Sequence, residues 1–164
     1  MKLKIIILFL TLPILNFGQD FQLKEPNVTE LKAELKKNNN TDDVVYVYLQ
    51  RNYNQSSKKR NVKKYEYPDY SICAFEQSFE NEITYSVEQC REAGGISTTL
   101  ILPKSKKSNV IKWVEQIFKS SPMDIKHGWN KEKTNYGPTD NGVGCYYKIK
   151  ETEKNTEIDM YCGC

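Results

Sequence analysis

The chain has 164 residues, with 24 Lys and Arg against 21 Asp and Glu, one His and a net charge of +3. Two of the lysines, Lys2 and Lys4, fall in an N-terminal leader. Without them the balance is 22 to 21, which removes any global charge argument for nucleic-acid binding. A single His leaves a zinc site short of ligands, and no phosphate loop, dinucleotide fingerprint, nucleophile elbow or zinc-protease motif is present.

The leader combines Lys2 and Lys4 with an apolar run, Ile5 to Leu15, and then Asn16, Phe17 and Gly18. That is the layout of a secretory signal peptide, shorter than the ~20 apolar residues of a membrane span. Cleavage after Gly18 is expected, so residues 1–18 are read as signal peptide and 19–164 as one domain. No transmembrane segment is expected once the signal is removed. The expected location is the periplasm or the extracellular medium, both of which permit disulfides.

Asn27 to Lys37 carries a capping residue, a Glu three positions on, and an apolar stripe of Val28, Leu31 and Leu35; it reads as a helix. Val44 to Leu49 is Val, Tyr and Leu throughout and reads as a central strand. Arg51 to Lys64 shows no period and reads as a long loop with six cations: Arg51, Lys58, Lys59, Arg60, Lys63 and Lys64. Ser71 to Phe79 and Ile83 to Cys90 read as a hairpin; a turn at Asn81-Glu82 would set Phe75 against Glu88 and Cys73 against Cys90. Ile96 to Leu102 is a strand ended by Pro103. Asn109 to Lys119 is a second amphipathic helix, capped by Ser108 and stopped by Pro122. Met123 to Val143, rich in Gly, Asn and Lys, reads as a second long loop.

The tail, Gly144 to Cys164, gives the clearest register. With facing residues summing to 307, Cys145 faces Cys162, Tyr147 faces Met160 and Ile149 faces Ile158. The other side pairs Tyr146 with Tyr161, Lys148 with Asp159 and Lys150 with Glu157. One face is apolar with two thiols; the other carries an aromatic pair and two opposite-charge pairs, the unit of sheet stabilisation. A two-residue turn at Glu153-Lys154 and a four-residue loop from Thr152 to Asn155 both preserve these pairs. The expected disulfides are Cys145–Cys162 and Cys73–Cys90, with Cys164 left over from the five cysteines.

Together these elements predict an α+β, two-layer domain. It has a mostly antiparallel sheet of five to six strands and two amphipathic helices, stapled by disulfides. The functional expectation is an exported, non-catalytic protein-binding module, inhibitor- or immunity-like, using an exposed sheet face or the long loops. The alternatives are a small exported hydrolase, using His127 with a free Cys or an acid, and a polyanion or glycan binder. The latter would use the basic loop 51–64, and Trp129 and Tyr136 are further candidate binding residues. No catalytic, cofactor or metal residue is assigned, and no cofactor is expected.

Overall fold

The computed structural model describes residues 20–37, 43–64, 72–88, 95–121, 123, 125–140 and 142–163. The leader, Cys90 and Cys164 lie outside the described residues, as do Tyr65, Tyr67, Pro68 and Tyr70.

The first helix, α1 (Val28–Lys37), forms where expected. Asn27 Oδ1 accepts from the Glu30 amide at 3.2 Å, and the two side chains meet at 2.9 Å. The next element corrects the sequence reading: Val44 to Leu49 is not a strand but the body of a second helix, α2 (Val44–Asn52). The Asp43 carboxylate caps it, accepting from the amides of Val45 at 2.8 Å and Tyr46 at 3.0 Å. A run apolar on every side fits a buried helix as well as a buried strand, and Val45 through Leu49 are all buried.

Eight strands follow among the described residues, more than the five to six expected: β1 (Arg60–Lys64), β2 (Ile72–Phe79), β3 (Ile83–Glu88), β4 (Ile96–Pro103), β5 (His127–Trp129), β6 (Asn135–Pro138), β7 (Gly144–Glu151) and β8 (Asn155–Gly163). The surplus comes from the two supposed loops. The basic one contains β1, and the Gly-rich one contains β5 and β6. A third helix, α3 (Lys107–Ser120), separates β4 from β5. It starts before the expected Ser108 cap; Lys106 occupies the cap position and makes no side-chain capping bond.

All eight strands form one sheet in the order β1-β2-β3-β4-β8-β7-β6-β5, antiparallel at every step. The last strand in sequence therefore lies inside the sheet, between β4 and β7. The β7–β8 register is the expected one, Cys145↔Cys162 through Lys150↔Glu157. The Cys145–Cys162 disulfide is formed, with the Cα atoms 4.0 Å apart. In the β2–β3 hairpin the pairing is one residue off the expected register: Phe75 meets Val87, not Glu88. Three residues, Glu80 to Glu82, form the turn, with Asn81 and Glu82 both at positive φ. Cys73 is disulfide-bonded; the expected partner, Cys90, falls outside the described residues.

The helices cover one face. Tyr46 of α2 packs on Phe75, Phe79 and Tyr85 of the sheet, and Phe118 of α3 packs on Tyr136. The core joins the buried side chains of all three helices to alternate residues of the strands, such as Leu100 and Leu102 of β4, Ile149 of β7 and Ile158 of β8. This is the α+β layering that the amphipathic patterns require. Among the described residues, no helix is long and apolar enough to cross a membrane.

Candidate functional site: the uncovered face of the sheet

Side chains alternate along a strand, so every residue between two core residues points away from the helices. The registers align those outward residues across the sheet. One polar row runs Arg60, Glu76, Ser86, Thr99, Asp159, Lys148, Asn135, crossing seven strands from β1 to β6. A second row holds Ser97, Tyr161 and Tyr146, and a third Ile101, Glu157 and Lys150.

Over β4, β8, β7, β6 and β5 this face encloses a cavity of roughly 740 Å3. Its lining comes in runs of adjacent residues from each strand: 97–99, 159–161, 146–148, 135–139 and 128–130. Adjacent residues of each strand line it, so the sheet itself forms the floor and its surface is concave here. Glycine permits the close packing of one wall. A Cβ on Gly137 would come 2.7 Å from the Tyr146 ring, so the ring lies directly on β6. The Tyr146 hydroxyl donates to the Gly142 carbonyl and holds the ring there.

Lys148 and Asp159 are the only charged residues of the lining among the described residues. They are direct cross-strand partners, yet Asp159 is engaged elsewhere. Its carboxylate is 2.5 Å from Lys150 Nζ and accepts from Thr99 Oγ1 at 3.1 Å. Burial pushes this carboxyl up, but Lys150 and Thr99 outweigh it and hold it below the ordinary carboxylate range. The Lys150 ammonium donates to Asp159 and Glu157, and these hydrogen bonds hold it above the ordinary lysine range. Lys148 is exposed and makes no ion pair among the described residues.

The cations singled out from the sequence lie elsewhere, whereas Trp129 and Tyr136 belong to the lining. Arg51, at the end of α2, pairs with Glu30 at 2.7 Å and Glu34 at 3.5 Å on α1. Lys59 lies over the rings of Tyr46 and Phe75 on the helix side, at 4.4 and 4.3 Å. Arg60 pairs with Glu76 at 2.7 Å on the opposite side. Lys58 is exposed, and Lys63 and Lys64 continue into β1. The alternation of the chain thus puts the adjacent Lys59 and Arg60 on opposite faces. Basic residues and an irregular register on an edge strand also deter unwanted pairing with other strands.

His127 has both ring nitrogens beside backbone carbonyl oxygens: Nδ1 at 2.8 Å from Ile125 and Nε2 at 3.1 Å from Cys145. Its ring lies 4.0 Å from that of Phe118. Trp129 donates its indole N–H to Glu115 at 2.9 Å and packs against Tyr136, which contacts Tyr147. This aromatic group clamps α3 to β5 and β6. Tyr136 and Trp129 turn their rings to the helix layer, and they line the cavity wall together with their neighbours Gly128, Asn135 and Gly137. Among the described residues, no three His, Cys, Asp or Glu side chains converge as a metal site.

The sequence reading anticipated the facing pairs Tyr146–Tyr161 and Lys148–Asp159 but did not place them in a site. The signal was the polar face of the tail hairpin. Comparison with family models, curated proteins and solved structures gave no match.

Proposed function

We propose that the protein is an exported, non-catalytic binding module that receives a partner protein on the concave, helix-free face of its sheet. The observation that carries this reading is the groove over β4 to β8 and its lining. A facing tyrosine pair, flanked by Ser97, Thr99, Asn130, Asn135, Gly128 and Gly137, has the composition that adaptable protein-binding surfaces favour. Tyrosine supplies contact area at low entropic cost, and the small polar residues supply hydrogen bonds. The Cys145–Cys162 bridge favours an oxidising compartment, in keeping with the leader. N-terminal sequencing of exported protein should begin at or near Gln19.

The hydrolase alternative has less support. Both His127 nitrogens are engaged by the backbone, and Cys145, whose carbonyl oxygen is one of the partners, is in a disulfide. The polyanion alternative is weakened because Arg51, Lys59 and Arg60 serve different faces and have local partners.

Photo-cross-linking tests the proposal. A benzophenone amino acid at Ser97 or Tyr161 should yield one discrete protein adduct in the exporting host, and the same group at the exposed helix residue Lys119 should not. Equal labelling from both sides of the molecule, or none from the groove, would remove the reading.

A further inference from the structure

Lys148 stands on the groove floor beside Asp159, the one acid of the lining among the described residues, which already has partners. Asp159 is hydrogen-bonded to Lys150 and Thr99 and makes no direct ion pair with Lys148. On its other side Lys148 faces Asn135, which is neutral. Among the described residues of the lining, Lys148 is therefore the one cation, and it has no direct ion-pair partner within a polar, tyrosine-flanked surface.

We propose that the partner inserts an acidic side chain, Asp or Glu, to form an ion pair with Lys148 on the groove floor. This rests on the reading of the groove as the partner site. Electrostatic complementarity is the physical ground: docking would cover Lys148, and an uncompensated covered charge is costly.

The surroundings select a side chain over the other common anions. Capture of a chain-terminal carboxylate uses a nest of unpaired backbone N–H groups. β8 pairs along its length with β4 and β7, and β7 pairs with β6 at Tyr147 and Lys148, so the amides around Lys148 belong to the sheet. Phosphate recognition favours Arg forks or helix N-termini. Among the described residues the lining contains no Arg, and the helices lie on the opposite face.

The test is selection of a random dodecapeptide phage library on the oxidised protein. Groove binders are those lost on the blocking change Ser97→Arg. The expected result is that they share an acidic position, lose about tenfold in affinity on Lys148→Gln and weaken with salt. Reselection on Lys148→Glu should replace the acid with Lys or Arg. Groove binders with no acidic preference, indifferent to both Lys148 changes, would overturn the ion pair and leave the groove reading intact. Selected peptides that all ignore Ser97→Arg would overturn the groove reading itself. Lys148 is exposed, so both its variants should fold; the intact disulfide and an unchanged unfolding midpoint would verify this.

Discussion

Asp43 shows how a single side chain decides a local structure. Its carboxylate caps α2 and accepts from Thr98 Oγ1 at 3.4 Å, while the Tyr85 hydroxyl faces it outside hydrogen-bond geometry. Part of the residue reaches solvent, but the carboxyl group is enclosed. Burial therefore pushes its pKa above the ordinary value despite the capping bonds, which pull it down. The sign for stability follows. An acid with a raised folded-state pKa keeps its proton longer in the fold than in the unfolded chain. Stability thus falls as pH rises from the ordinary carboxylate range up to the folded value. Asp43→Asn keeps a good cap and removes the ionisation. The variant should gain on the wild type across that window and hold the gain at higher pH, as read by denaturant titrations at pH 4, 5.5 and 7. A pH-independent difference would show that the carboxyl ionises without penalty. Asp43→Ala, which loses the cap, should cost about 1 kcal/mol.

At the scale of elements, legibility followed how much of the pattern was local. The tail hairpin could be read because its alternation separates two chemically distinct faces, and a one-residue slip would scramble both. Its turn was the unsettled part. Glu153 and Lys154 do not take positive φ; instead Thr152 Oγ1 accepts from the amides of Lys154 at 3.3 Å and Asn155 at 3.0 Å. Thr152 N–H bonds to Asn155 O at 2.9 Å, which makes every second pair up to Cys145–Cys162 non-hydrogen-bonded. That class brings Cα atoms closest, in agreement with the short Cys145–Cys162 separation. Thr152→Val should therefore cost about 1 kcal/mol, and Thr152→Ser should recover most of it. Equal stability of the two variants would take the hydroxyl out of the turn. The strand misassigned at Val44 had no period to read, and its only helical signal was the cap at Asp43. Half of the groove was local: Tyr146, Lys148, Asp159 and Tyr161 all belong to the tail hairpin. The other half needed β4 to meet β8 and β6 to meet β7. No pattern within either segment specifies those pairings.

For the whole molecule, the position of β8 matters most. It joins β1–β4, built by successive antiparallel pairing, to β5–β7, and it places Thr156, Ile158 and Met160 in the core. Its partner β4 is distant in sequence, with Leu100 facing Ile158. The loop-closure entropy of that pairing must be met before its contacts form, which slows folding. The disulfide and the strand contribute in different ways. The disulfide closes a sequence separation of 17 residues within one hairpin, so its loss mainly restores entropy to the unfolded chain. Replacing Cys145 and Cys162 together with Ala should lower stability by about 3 kcal/mol while leaving one cooperative transition. Deleting residues 152–164 removes β8 itself. Leu100, Leu102, Tyr147 and Ile149 would then lose their cross-strand neighbours at once, and neither half of the sheet could close its core. That truncation should show no sigmoidal denaturation and no near-ultraviolet dichroism, while the double Ala variant keeps both. A truncated chain that still unfolds cooperatively would mean that β1–β4 and the helices form a folding unit without β8.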